Sequence, residues 1–321
     1  MHLMTVRTKI ILLIIAVITA LATVFAATYK PKRVEIIGSP LIKVKALLPL
    51  SGPDEHLGNA ARRGFEAMLR QAAQTQTRYR YDVVYEDAAA PISDDGAYKA
   101  VVSAGLMPEP QIILKLQDQP ARSYVFHTPY QDAVDKFIAE LPSRDARNIG
   151  LIIQAAGNYR ELAALLKEKI PEQYSLNGAV FREGQQNFAD IINMLRNNDT
   201  DLFVIIGAPA ETDKLVEQLH RNGISNYQIT SLFTVDLTPD VSLYDNVSFV
   251  GSRAGPQNSG LAFEALRRLI LACENSYVKD SLPDWEKAAA YLDGKASAPG
   301  EFYIPAVVKN VRNGSISVIT D

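Results

Sequence analysis

The 321-residue chain has a single cysteine, Cys273, so no disulfide can form within one copy. In LAFEALRRLILACENSYV this residue falls on a helix face and reads as a small apolar side chain turned into a core. Larger exported domains hold together without disulfides, so the missing partner does not argue against export. Histidine is also scarce. His2, His56, His127 and His220 are the four present, and none stands at metal-ligand spacing with Cys, Asp or Glu. H-E-x-x-H, C-x-x-C, G-x-S-x-G and G-x-x-x-x-G-K-[ST] are all missing, so no catalytic residue, metal or cofactor is expected. The acid pairs Glu86-Asp87 and Asp94-Asp95 suit strand ends and helix starts, where carboxylates are solvated or cap. Basic residues are not in excess either: 33 Lys and Arg against 36 Asp and Glu leave a formal charge of -3. Phosphate binding needs clustered Lys and Arg, so nucleic acid is excluded as a partner.

One long apolar run exists. IILLIIAVITALATVFAA, from Ile10 to Ala27, carries no charge and follows Arg7 and Lys9. A basic flank before an apolar stretch is an export pattern, and Val24-Phe25-Ala26 offers a small-residue cleavage signal. The run is also close to the length that spans a bilayer. Residues 1–27 are therefore either a signal peptide or an inner-membrane anchor. Residues 28–40 read as a linker, and the rest of the chain lies in the periplasm.

Beyond the linker, strand and helix patterns alternate. Strands are expected at Ile42–Leu50, Tyr81–Tyr85, Gln111–Leu116, Ile149–Ile153, Gly178–Phe181, Leu202–Ile206, Tyr227–Leu232 and Val247–Val250. Helices are expected at Asn59–Gln74, from Ser93 through Val102 with Gly105 closing it, and at Tyr130–Leu141, Tyr159–Ile170, Phe188–Leu195 and Glu211–Leu219. A long helix over Gly260–Tyr277, a second over Asp284–Leu292, and strands Phe302–Val308 and Ser315–Ile319 close the chain. Asn313-Gly314 marks a hairpin turn. Two alternating series with short all-apolar strands argue for an α/β protein of two lobes with parallel sheets.

The corner Leu50-Ser51-Gly52-Pro53 ends a buried strand just before a helix. Gly permits close backbone approach, Pro fixes the turn, and the place is where open α/β sheets bind ligands. A tight connection alone would account for Gly and Pro but not for Ser51.

IKVKALLPLSGPDEHLGNAARRGFEAMLRQA, with Gly52, Gly58 and Gly64, resembles the opening of type I periplasmic binding proteins of the branched-chain amino acid (Leu/Ile/Val) branch. YDVVYEDAAA resembles that family's second strand, NIGLIIQAAGNYRELAALLKEKI the start of its second lobe, and VFREGQQNFADIINMLRNNDTDLFVIIGAPAETDKLVEQLHRNGI the run that follows. GEFYIPAVVKNVRNGSISVI is similar to its closing strands. The resemblance covers most of the chain from about residue 40.

It implies two Rossmann-like lobes after the N-terminal apolar helix, residues 41–128 plus 252–300 and residues 129–251, with 301–321 as closing strands near the hinge. A ligand would be enclosed between them, the chain crossing near Thr128, near Ser252 and once more before the end. The departures bear on specificity. Where the family has small hydroxyl residues after the third strand, IILKLQDQPARSYVFHT is shorter and carries Gln117, Asp118 and Gln119. The acid that faces an α-ammonium falls near ITSLFTVD, where Phe233 sits, and the first-loop aromatic is replaced by Leu57 or His56. Amino-acid specificity therefore does not transfer. By position, the cleft candidates are Ser51, Asp54, His56, Gln117, Tyr130, Gln154, Tyr159, Ala208, Glu211 and Phe233. The function expected is that of a solute-binding protein closing on a small polar ligand, an amino acid or related compound, for an ABC importer. The alternative is a ligand-independent regulatory or scaffold module that binds another envelope protein.

Overall fold

The computed structural model describes residues 39–320 except 53, 90–97, 106–110, 120–121, 225–227, 233–240 and 254–256. The apolar segment 10–27 and the linker as far as residue 38 lie outside the described residues. Among the described residues no helix is long and apolar enough to cross a membrane.

The elements form two sheets. The first holds β1 (Leu41–Leu48), β2 (Arg80–Asp87), β3 (Ala100–Gly105), β4 (Gln111–Leu116), β5 (Ser123–His127) and β11 (Glu301–Tyr303), in the order β11-β5-β4-β3-β1-β2. The second holds β6 (Asn148–Gln154), β7 (Ser175–Phe181), β8 (Leu202–Ile206), β9 (Gln228–Leu232), β10 (Ser248–Ser252), β12 (Ala306–Arg312) and β13 (Ser315–Thr320), in the order β13-β12-β10-β9-β8-β6-β7.

In β1, LIKVKALL, alternate side chains take opposite faces. Ile42, Val44, Ala46 and Leu48 are fully buried beneath α1 (Glu55–Gln74), α6 (Gln257–Asn275) and α7 (Trp285–Asp293). Helix α1 meets them with a stripe at Ala61, Phe65, Met68 and Ala72. On the other face Lys45 is buried, with Nζ 3.2 Å from Glu86 and 4.5 Å from the centre of the Tyr98 ring. A buried ammonium is tolerable only with such partners.

The second sheet is covered on both faces. In β8, LFVII, every residue is fully buried. Leu202, Val204 and Ile206 share a core with α2 (Tyr130–Glu140) and α3 (Gly157–Lys169), while Phe203 and Ile205 share one with α4 (Ala189–Asn197) and α5 (Pro209–Arg221). Two-sided burial is why this strand reads as continuously apolar.

Several sequence expectations are corrected. The helix through Val102 is replaced at AVVSAG by β3, parallel to β1; the adjacent β-branched Val101 and Val102 favour a strand. Five residues then join β3 to β4, too few for the crossover that a parallel neighbour requires. Accordingly β4 runs antiparallel to both β3 and β5, and the first sheet is mixed. Strand β5 was not expected at all. The single strand over Phe302–Val308 is broken at Ile304-Pro305 into β11 and β12, which belong to different sheets. Strands β12 and β13 pair antiparallel around Asn313-Gly314, whose φ angles of 52° and 68° fit the expected tight hairpin.

The chain passes between the sheets three times, after β5, after β10 and between β11 and β12. These passages are bonded to one another: Ile304 N–H donates to His127 C=O and Arg253 N–H to Pro305 C=O, both at 2.9 Å.

Candidate functional site

The carboxyl ends of the parallel strands carry most of the sequence candidates. At the end of β1, the Ser51-Gly52 corner is exposed rather than sealed under side chains. Gly52 has φ 79°, a left-handed conformation that a side chain disfavours. The purpose of Ser51 is visible here. Asp87, the last residue of β2, is hydrogen-bonded to the Ser51 side chain and accepts the N–H groups of Leu50 (3.2 Å) and Ala89 (3.1 Å). The Ser51 bond first, with the backbone donors, holds the Asp87 carboxyl below the usual aspartate range. Asp87 thus fixes the corner, a role that its place at a strand end had suggested only as solvated or capping.

Asp54 immediately precedes α1 but makes no side-chain bond to the helix N-terminus. Its charge instead reaches Tyr159, in the first turn of α3 on the other sheet. The Tyr159 hydroxyl is pushed above the ordinary tyrosine range, by burial first and then by the charges of Asp54 and Glu211. Asp54, which follows β1 of the first sheet, and Glu211, which follows β8 of the second, thus both act on Tyr159.

Glu211 lies in the first turn of α5, only 8% exposed, and its Oε1 accepts the N–H of Gly184 at 2.8 Å. Gln218 holds the same loop, donating to Gln186 C=O at 2.7 Å and accepting from Phe188 N–H at 2.8 Å. Nothing in the residue pattern had marked Gln218. Gln154, 4% exposed, turns its Oε1 to the N–H of Ala208 at 2.5 Å. It joins the ends of β6 and β8 and serves first as a brace. Ala208 and His56 are half-buried.

Two candidates are placed differently from expectation. Gln117 follows an antiparallel strand, so it emerges at the opposite strand end of the first sheet from Ser51; its N–H bonds Lys99 C=O, and the Lys99 N–H bonds Lys43 C=O near the start of β1. It does not share an end with the other candidates. Tyr130, 6% exposed, belongs to the apolar core of α2 and α3 rather than to an open wall. Phe233 lies outside the described residues. Among the described residues no group of three His, Cys, Asp or Glu could hold a metal ion.

A surface depression of about 630 Å³ lies elsewhere, at the far edge of the first sheet between the end of α1 and α6. Its acid, Glu274, is already occupied by the N–H groups of Arg78 and Tyr79 and by the Tyr81 hydroxyl. It is not the site at the strand ends.

No family model and no curated protein matches the chain. Solved structures do. A leucine-binding protein LivK from Thermotoga maritima aligns with a TM-score of 0.62 at 16% identity, over 86% of this chain and 97% of its own. The branched-chain amino acid transporter substrate-binding protein LivJ from Streptococcus pneumoniae, solved with isoleucine, aligns with a TM-score of 0.61 at 14% identity, over 88% and 100%. A substrate-binding periplasmic protein from Ralstonia solanacearum gives 0.63 at 15% identity, over 86% and 99%. At such identities the likeness is one of fold, that of the type I periplasmic binding proteins.

Proposed function

From the fold shared with LivK and LivJ, we infer that this chain is an exported solute-binding protein. It encloses a small polar ligand between its two halves and presents it to an ABC importer. Residues 41–128 with 252–300 would act as one lobe and 129–251 as the other, with 301–321 closing the hinge. The observation that carries this reading is the fold likeness, supported by the influence of the Asp54 and Glu211 charges on the Tyr159 hydroxyl. Two acids whose charges both act on the Tyr159 hydroxyl favour a ligand that brings positive charge, such as an ammonium group. A ligand touching both halves favours the closed arrangement by the contacts it makes only there. The test is titration calorimetry with amino acids, their amides, simple amines and small organic acids, paired with small-angle scattering. Heat and compaction with an ammonium-bearing compound, both lost in Tyr159→Ala, are expected. No heat and no compaction with any of them would overturn it.

A specific observation favours a second reading, a module that binds an envelope protein without a small ligand. The short β3–β4 connection leaves no room for a crossover helix, and Gln117 lies at the other strand end. Co-purification of the chain with a membrane complex, insensitive to Tyr159→Ala, would support this reading.

A further inference from the structure

The four edges of the two sheets are not alike. Edge β2, RYDVVYED, carries Arg80, Asp82, Glu86 and Asp87, edge β11 is three residues long, and edge β7, SLNGAVF, is uncharged and exposes Val180 but is interrupted by Asn177 and Gly178, residues that weaken a strand. Charge and shortness are the usual protections against a further strand. Edge β13, SISVIT, has neither: it contains no charged residue and no proline. Ile316, Val318 and Ile319 are 37%, 51% and 49% exposed, on both faces of the strand. Residues flanking a two-residue hairpin turn pair through hydrogen bonds, which for Asn313-Gly314 means Arg312 with Ser315. Alternation then aims the N–H and C=O of Ile316 and Val318 at the open edge.

We propose that β13 is a self-pairing edge, on which β13 of a second copy docks antiparallel about a two-fold axis at Ser317. The strand is complementary to itself in that register. Ile316 of each copy lies opposite Val318 of the other and exchanges both backbone bonds with it. The two Ser317 side chains, the smaller ones, meet at the axis. Apolar side chains then cover each other on the face that carries Ile316 and Val318, and the second sheet continues from one copy into the next.

Full-length Ser317→Cys, oxidised in membranes or detergent and run on a non-reducing gel, tests this. A non-hydrogen-bonded pair brings its Cα atoms to about 4.5 Å, within disulfide reach. Ser315 is equally exposed, but in this register its two copies stand about 14 Å apart, given a rise of about 3.4 Å per residue. The expected result is a cross-linked dimer for Ser317→Cys several-fold more abundant than for Ser315→Cys. It should fall to the Ser315→Cys level when Val318→Pro removes an outward N–H. The wild-type chain should give none, since its one thiol, Cys273, is fully buried. Equal cross-linking at both positions, none at either, insensitivity to Val318→Pro, or a band only with another protein would each overturn the proposal.

Discussion

Gln154 at the end of β6 accepts the N–H of Ala208, 54 residues further on, at 2.5 Å. The bond closes over Gly207, whose missing side chain makes it possible. A Cβ there would stand 2.7 Å from Phe181 Cζ and 3.1 Å from Gln154 Oε1. Gly207→Ala is therefore expected to cost about 1–3 kcal/mol through overpacking, read as a lower urea midpoint. Gln154→Leu, which strands the Ala208 N–H, should cost about 1–2 kcal/mol. Because the two sites share Gln154, the double variant should lose less than the sum.

Gly64 is held by a harder constraint. A Cβ on it would lie 2.0 Å from the carbonyl oxygen of Ser259 in α6. Backbone cannot yield as a side-chain tip can, so Gly64→Ala must part α1 from α6. A loss of about 3 kcal/mol or more is expected by chemical denaturation. Gly58→Ala, aimed at the Pro49 carbonyl at the same distance, should behave alike.

Asp87 sets an acid-side dependence. Its folded carboxyl titrates below the ordinary 3.8 because the Ser51 side chain and the Ala89 and Leu50 N–H groups bond the charged form. A depressed carboxylate stabilises the fold above its unfolded pKa, and the contribution is lost as pH falls through the folded value. Asp87→Asn should thus lower the urea midpoint at pH 7, and the gap should close below about pH 4.

Tyr124 sets an alkaline one. Burial first, then Asp293, which accepts its hydroxyl at 3.0 Å, pushes its pKa from 10.0 up to about 12. A raised group stabilises fully below its unfolded pKa, with the effect lost as pH rises to the folded value. The stability advantage of the wild-type chain over Tyr124→Phe should therefore shrink between pH 10 and about 12.

Glu211 should reveal itself in exchange rather than in stability. Glu211→Ala removes the acceptor for Gly184, and faster amide hydrogen exchange at Gly184 is expected. Glu211→Gln, which keeps an acceptor oxygen, should restore protection.

How far the residues alone foretold this molecule depends on which kind of constraint acted. β8 and α1 were legible because burial imposes a period: LFVII is covered on both sides, and Ala61, Phe65, Met68 and Ala72 form one stripe. Strand β3 was not, because the capping signal at Ser93 and the glycine at Gly105 competed with a short Val-Val pair that only pairing to β1 makes a strand. That error moved Gln117 to the wrong strand end, since the direction of β4 follows from the length of the preceding connection. Asp54, Tyr159 and Glu211 were read from their places after β1, β6 and β8, and the structure puts each at a strand end. The braces Asp87 and Gln218 were not, because a hydrogen bond between distant loops leaves no spacing to read. Two of the three glycines that carried the family resemblance, Gly58 and Gly64, prove to face backbone oxygens rather than an open cleft.

The three passages between the sheets are stitched side by side by the bonds Ile304 to His127 and Arg253 to Pro305. A swing of one half against the other cannot use one thread and spare its neighbours, because turning any of them strains a bond to the next. The proposed closure on a ligand would then be a single concerted flexure, felt at Thr128 and at Ile304 together.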